Sequence, residues 1–395
     1  MICLHDLYTL HEEIKQEIPA LSLEINKGEL IVYPNNNQEM ASFIKYCNEK
    51  KIQVIPAGSR TILDNLRHGS NIILSTARMN RIIELAKEDL TVTVESGIQI
   101  KELTVFLKQY NFILPVSYQD KPASTIGGLL ARDAGGLEEY NHGAISDYVL
   151  GLEFVAPTGE LIKTGGKTVK NVSGYDFTRF FVRSWGSLGI ITKATFKLKP
   201  VAEEKCLLIS LCKNPIEALE IMEKVFRQKF SAVTFLGMPT DYLGISSGEP
   251  YVVLFVLAGS KMVVTKQTED LSKILKVDKQ VAGRDEVDKS IEKIYAALRS
   301  LQLIDYSLQM DRKWLFTQAA KLLSSLDNQG VKHIFIDAGR GQIEIKSKQH
   351  LPELADYLKQ TMTAPDILYT KLKKSLDPNH IMAVENPWLA EVNKI

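Results

Sequence analysis

The sequence predicts an α+β chain built in two parts. Three observations carry this. Glycines crowd into the first 200 of the 395 residues, short β-branched runs there alternate with amphipathic stretches, and beyond Pro200 the alternation continues without glycine motifs. A chain of this length holds two or three domains and buries a large core.

From Gly28 the elements read strand, helix, strand. ELIVYP (29–34) is a short apolar run, NNQEMASFIKYCNEKK (36–51) has helical spacing, and IQVIPAG (52–58) is a strand running into the turn PAGSRT (56–61). NIILST (71–76), a basic–apolar RMNRIIEL (78–85) and the strand TVTVESG (91–97) follow. IQIKELTVFLKQYN (98–111) is helical, and FILPVS (112–117) leads into glycine-rich ASTIGGLLARDAGG (123–136). DYVLGLEFVAPTGELIKTGG (147–166) reads as two strands about a Pro-Thr-Gly turn. TVKNVSGYDFTRFFVRSWGSLGII (168–191) sets Gly174, Gly186 and Gly189 among bulky residues, and ITKATFKLKP (191–200) closes the half as a strand.

After Pro200 the strands CLLISLC (206–212), AVTFLG (232–237) and YVVLFVLAG (251–259) alternate with helical PIEALEIMEKVFRQ (215–228) and VTKQTEDLSKILK (264–276). A charged stretch over 276–288 precedes helical IEKIYAALRSL (291–301), then a second round: RKWLFTQAAKLLSSL (312–326), KHIFIDAG (332–339), QIEIKS (342–347) and HLPELADYLKQ (350–360). Two βα rounds with little glycine suggest ferredoxin-like layering. The tail LDPNHIMAVENPWL (376–389) is loop-like and is expected to return to the first part. The expected division is therefore 1–200, 201–365 and a C-terminal segment 366–395.

Forty-eight Lys and Arg against 47 Asp and Glu leave a net charge of +1, so no basic excess points to nucleic acid or anionic membrane. Cys3, Cys47, Cys206 and Cys212 are scattered, without a CxxC pair or Cys/His cluster, so neither a metal site nor an iron–sulfur centre is expected within this chain. The N-terminal stretch mixes charge with apolar residues, and no window approaches eighteen uncharged apolar residues. The expectation is a cytoplasmic globular protein without a transmembrane segment, at most peripheral to a membrane through partners.

Three loops carry the functional signal: PAGSRT, TIGGLLARDAGG and SWGSLGII. A lone glycine-rich loop is as readily a turn between short strands as a ligand cradle. Three between residues 56 and 191 point to a large, dinucleotide-sized ligand, with Ser59 and Thr61 as hydroxyl donors beside turn amides. The G-x-G-x-x-G pattern of the Rossmann fold is absent in its strand–helix setting.

The combined motifs VYP (32–34), PAGSRT (56–61), STIGG (124–128), DAGG (133–136), DYVLGLEFV (147–155), VKNVSGYD (169–176) and SWGSLGIIT (184–192) resemble the FAD-binding domain of the vanillyl-alcohol oxidase/p-cresol methylhydroxylase superfamily. The likeness spans about residues 30–200 and is strongest to the flavin subunits of bacterial glycolate oxidase and D-lactate dehydrogenase; the short second half favours the smaller subunit, GlcE. The resemblance implies a p-cresol-methylhydroxylase-type FAD-binding domain of two α+β subdomains, a smaller ferredoxin-like cap domain, and bound FAD. By the same resemblance Ala57, Gly58, Ser59, Arg60, Thr61 and Ile62 would wrap the pyrophosphate. Ser124, Thr125, Gly127 and Gly128 would line the cofactor's middle section, and Ala131, Asp133 and Gly135 would continue that wall. Gly186, Gly189 and Ile191 would meet FAD through bare backbone, with Asn171 and Tyr175 either ordering the preceding turn or simply packing it.

Arg60 stands where relatives usually carry Gly, and Asp133 where they carry Asn. The late His-rich motif of the larger hydroxyacid dehydrogenases is replaced by KHIFIDAGRGQIEIK, with His333 alone on a strand; His380 and Glu385 in the tail are unassigned. No catalytic residue is therefore assigned. The PAGSRT loop holds neither His nor Cys, so noncovalent FAD is expected, with His142 the remaining candidate for a covalent link. The implied function is a subunit of a glycolate/D-lactate-type 2-hydroxyacid dehydrogenase, taking a small 2-hydroxyacid and passing electrons to partners, a larger flavin subunit and an iron–sulfur subunit. The alternative is a non-catalytic assembly subunit that keeps the FAD fold.

Overall fold

The computed structural model describes residues 4–61, 72–116, 123–136, 138–166, 178–228, 230, 232–244, 248–300, 306–309, 312–328, 331, 333–338, 341–346 and 373–383. Ile62, Asn171, Gly174, Tyr175 and the expected helix at 350–360 lie outside them.

The first sheet runs in the order Ser22–Asn26, Glu29–Tyr33, Ile72–Ser75, Ile55–Ala57, antiparallel at its first pair and parallel at the other two. Helix Asn37–Lys50 buries Met40, Phe43, Ile44 and Cys47, an i, i+3, i+4, i+7 stripe, against Leu30, Val32, Ile72 and Leu74 of that sheet. Its start is set by Asn36, whose Oδ1 accepts from the amides of Gln38 and Glu39 at 3.0 and 2.9 Å, a cap stabilising the helix by about 1 kcal/mol. Helix Leu4–Glu17 adds Leu7, Leu10 and Ile14 to the same core.

A second, antiparallel sheet runs Ile82–Ala86, Thr91–Glu95, Ile190–Lys197, Val149–Val155, Leu161–Gly165. The basic–apolar stretch 78–85 thus supplies its edge strand. Helices Ile100–Lys108 and Ile126–Arg132 cover this sheet through Leu103, Leu107, Ile126, Leu129 and Leu130, packed with Val92, Val94, Leu152 and Phe196.

The second half forms one sheet in the order Lys279–Ala282, Glu204–Cys212, Tyr251–Gly259, Ala232–Pro239, His333–Asp337, Gln342–Lys346, Tyr306–Gln309, each described pair antiparallel. Along Tyr251–Gly259 the side chains of Tyr251, Val253, Phe255 and Leu257 pack beneath helices Pro215–Arg227, Lys261–Ile274 and Arg312–Asn328. Val252, Leu254 and Val256 face the opposite way, onto Val287, Ile291, Ile294 and Tyr295 of helix Arg284–Ser300. Side chains alternate across a strand, so a strand apolar at every position must be covered on both faces. The charged stretch 276–288 holds both an edge strand and the start of that helix.

Residues 373–383 pack on the first sheet. The Val54 amide donates to Ile381 O and the Ala383 amide to Val54 O, both at 2.8 Å. Asp377, fully buried, accepts from the amides of Ile381 and Met382 at 2.7 and 3.0 Å and from Lys373 Nζ at 2.7 Å. Lys373 Nζ also donates to Ser187 O at 2.7 Å, tying this segment to the SWGSLG turn. Among the described residues no helix is long and apolar enough to cross a membrane.

Candidate functional site

Strand Ile55–Ala57 ends in the turn Pro56–Thr61, and what holds that turn is local. The Thr76 amide donates to Ala57 O at 2.9 Å, Ser75 Oγ donates to Gly58 O at 3.2 Å, and Ser59 Oγ donates to Ala123 O. Gly58 is bare because Thr125 sits against it: a Cβ there would overlap Thr125 Oγ1 and lie 3.0 Å from Thr125 Cβ. Thr125 is the N-cap of helix Ile126–Arg132, its Oγ1 accepting from the Gly128 amide at 3.3 Å. At the far end of this helix the amides of Arg183 and Trp185 donate to Leu130 O and Ala131 O at 3.0 and 2.8 Å. Turn, helix and SWGSLG segment thus converge, and between them lies a cavity of about 60 Å³.

Nine residues singled out from the sequence line it: Ala57, Gly58, Ser59, Arg60, Thr61, Ser124, Thr125, Gly128 and Ala131. Pro56, Arg132 and Trp185 line it too and were missed. All three lie inside the motifs already read, but their type, an imino acid, a cation and an indole, does not by itself announce a cradle.

The remaining candidates stand elsewhere. Gly127 packs under the cavity wall, where a Cβ would lie 2.9 Å from Ser96 Cβ. A Cβ on Gly135 would collide with the Glu139 carboxylate, and one on Gly186 would press Pro56 at 3.1 Å from its Cβ. Gly189, at φ +154°, is closed by protein: a Cβ there would lie 2.9 Å from Val155 O and 3.3 Å from Phe154 Cδ2. Ile191 is a buried strand residue registered with Phe154. The close approach read from sequence at Gly189 is therefore, on this side, an approach to a neighbouring strand.

Both departures from the family pattern occupy left-handed backbone, Arg60 at φ 63° and Asp133 at φ 52°. That conformation costs a non-glycine residue roughly 1 kcal/mol, which explains why glycine or asparagine suits these positions. The Arg60 guanidinium pairs with Glu29 at 2.6 Å. Asp133 ends helix Ile126–Arg132, accepting from the Ser146 amide at 3.2 Å with Arg183 3.6 Å away.

His142 lies in a separate polar cluster. Burial lowers its pKa to about 4; Glu138 opposes this, while Lys199 and Lys205 add to it, with Lys199 Nζ 3.2 Å from Nδ1. Lys205 pairs with Glu138 at 3.3 Å and with Asp288 at 2.8 Å, joining the first half to helix Arg284–Ser300 on the seven-stranded sheet of the second half. His333 Nδ1 lies 2.9 Å from Tyr242 OH, exposed at the end of an inner strand of the seven-stranded sheet. Neither histidine lines the cavity.

Ser124 and Trp185 both line the cavity, and Ser124 Oγ and Trp185 Nε1 are buried without a hydrogen-bond partner among the described residues. A buried polar group without a partner costs about 1–3 kcal/mol, so such groups mark where a ligand's acceptors belong. With the turn amides and two guanidinium side chains nearby, the wall is a donor surface suited to an oxygen-rich ligand, and the residues fit FAD.

Comparison with known proteins bears on the same region. Residues 28–165 match the family model described as FAD binding domain. That match lies within the first half of the chain and supports FAD as the cofactor. The chain is 34% identical over 260 residues to glycolate oxidase subunit GlcD of Bacillus subtilis, covering 62% of this chain and 55% of that protein. It is 33% identical over 202 residues to D-lactate dehydrogenase of Anaerostipes hadrus, covering 51% and 42%. It thus spans about half the length of these relatives, and the glycolate oxidase match is to GlcD where the sequence reading favoured GlcE. Among solved structures, p-cresol methylhydroxylase with substrate bound superposes with a TM-score of 0.67 at 15% identity, covering 96% of this chain and 95% of that one. An alkyldihydroxyacetonephosphate synthase gives 0.68 at 18%, covering 90% and 77%. The α+β fold is that of the p-cresol methylhydroxylase type.

Proposed function

We propose that this chain is an FAD-dependent oxidoreductase, a subunit of a glycolate/D-lactate-type 2-hydroxyacid dehydrogenase that passes electrons to a partner. The observation that carries this reading is the donor-lined cavity within the FAD-binding domain, set beside the likeness to glycolate oxidase and D-lactate dehydrogenases. Ala57, Gly58, Ser59, Arg60 and Thr61 hold the cofactor's phosphate-bearing chain through backbone and the Thr61 hydroxyl, while Ser124, Thr125, Gly128 and Ala131 form the facing wall. Gly127, Asp133, Gly135, Gly186, Gly189 and Ile191 keep those segments in place from behind, and Ile62 is proposed with the turn on sequence alone. FAD is held noncovalently. The units proposed are 1–200 and a cap at 201–365, with 366–395 belonging to the first; the separate cores and the contacts of residues 373–383 support this division.

Bound FAD supplies two-electron redox chemistry, and the protein supplies binding, orientation and electrostatics. A 2-hydroxyacid oxidised to the 2-oxoacid gives up two electrons and two protons, and the electrons leave through a larger flavin subunit and an iron–sulfur subunit. The second reading, an assembly subunit that is not itself catalytic, is favoured by Arg60, whose guanidinium in the cavity wall is committed to Glu29.

The test is to purify the chain with FAD and follow dye reduction by glycolate and D-lactate, alone and co-expressed with its neighbouring subunits. Flavin bound, with turnover restored by the partners, is expected. Rapid turnover by the lone chain would overturn the partnership, and a chain that takes up no FAD would overturn the whole reading.

A further inference from the structure

We propose that Trp185 is a direct hydrogen-bond donor to the cofactor, its indole Nε1–H meeting an oxygen of the FAD diphosphate in the cavity between the Pro56–Thr61 turn and helix Ile126–Arg132. The proposal rests on the FAD reading of this cavity.

Three features of Trp185 converge. Its Nε1 is buried and has no partner among the described residues, although the ring borders the cavity. An indole nitrogen donates and cannot accept, so only an acceptor can satisfy it. The rest of the ring packs with Ile31, Ile55, Ile73 and Ala383, which fixes its plane on the sheet. Finally, its backbone is left-handed at φ 55°, a costly conformation for a bulky aromatic residue. The turn is held there by the amides of Arg183 and Trp185, which donate to Leu130 O and Ala131 O. The fold therefore bears backbone strain and an unsatisfied buried donor at one residue on a ligand cavity.

The nature of the acceptor follows from the opposite wall. Ser124, 1% exposed, also brings a polar atom without a partner among the described residues, and the Arg60 and Arg132 side chains border the same space. Two neutral groups able to donate, with the Arg132 side chain beside them and the Arg60 guanidinium already paired with Glu29, match the one part of FAD that only accepts and is anionic, its diphosphate.

The experiment uses the full chain labelled with 15N-tryptophan, whose three indoles are Trp185, Trp314 and Trp388. Addition of ADP, which carries the diphosphate without the flavin ring, is expected to move the Trp185 Nε1–H resonance downfield and to slow its exchange with solvent. Calorimetry on Trp185→Phe, which keeps the ring and removes the donor, is expected to show FAD and ADP each binding about threefold to thirtyfold more weakly. The melting temperature of the cofactor-free variant is expected to be unchanged or higher, because a group without a protein partner has been removed. If Trp185→Phe does not fold, Trp314→Phe and Trp388→Phe assign the signal by elimination and the shift decides. Wild-type protein that binds FAD with an unmoved Trp185 resonance, undiminished affinity in the variant, or a melting loss in its cofactor-free form would each overturn the proposal. Wild-type protein that binds no FAD would overturn the cavity reading instead.

Discussion

Gly58→Ala places a single methyl group at the tightest point of the cavity wall. The new Cβ would overlap Thr125 Oγ1 and stand 3.0 and 3.1 Å from Thr125 Cβ and Cγ2. All three outer atoms of that side chain are involved, so rotating Thr125 exchanges one clash for another. Thr125 is 2% exposed. Relief requires either breaking its cap on the Gly128 amide, about 1 kcal/mol, or shifting a turn held by Ser59, Ser75 and Thr76, at the 1–3 kcal/mol typical of overpacking. The expected loss is about 2–4 kcal/mol in urea unfolding of the cofactor-free protein, with weaker FAD binding in parallel. Thr125→Ala removes the obstacle, so the double variant should cost less than the sum of the two singles by about 1–2 kcal/mol. A Gly58→Ala protein within about 0.5 kcal/mol of wild type, with an additive double variant, would refute the packing argument.

Gly189→Val introduces a branched residue at φ +154° against Val155 O and is expected to lower the stability of the cofactor-free protein by more than about 3 kcal/mol; a variant that melts normally but loses only flavin would show that this glycine serves the cofactor instead. Arg60→Gly relieves left-handed strain but takes this partner from the buried Glu29 carboxylate, so a net stability loss of about 1–3 kcal/mol is expected with FAD affinity within about threefold, and a larger affinity loss in calorimetry would place the guanidinium on the cofactor. His142, with its folded pKa lowered to about 4 by burial, contributes stability that is whole above its unfolded pKa near 6.5 and is lost as pH falls toward 4, at most about 3 kcal/mol. His142→Gln should flatten that limb of the melting-temperature profile, and an unchanged slope would assign it to other groups. Lys205→Met leaves Glu138 and Asp288 facing each other without their shared cation and is expected to cost about 2–4 kcal/mol by denaturation; a neutral result would mean that solvent already screens the pair.

Period and punctuation in the chain were enough for much of the architecture. An apolar stripe at i, i+3, i+4, i+7 makes 37–50 a helix in any setting, and Asn36 supplies its cap from two residues away. Likewise the turn at 56–61 was legible because proline and glycine act through local backbone geometry, whereas residues 126–132, read as part of a glycine-rich loop, form a helix capped by Thr125. The strand at 279–282 was not legible: its lysine and glutamine are exposed at a sheet edge, and it is a strand because Glu204–Cys212 lies beside it. Within the site, local order told which segments carry glycine but not what each glycine faces. Gly58 faces Thr125, Gly127 faces Ser96 and Gly189 faces Val155, contacts 31 to 67 residues apart in sequence that exist only once the sheets are assembled. The same holds for Arg60, whose partner Glu29 is reached only because their strands are neighbours through Ile72–Ser75. Trp185 is the sharpest case. Its motif was visible in the chain, but a donor becomes unsatisfied only when packing removes water from it, and that is decided by tertiary structure alone.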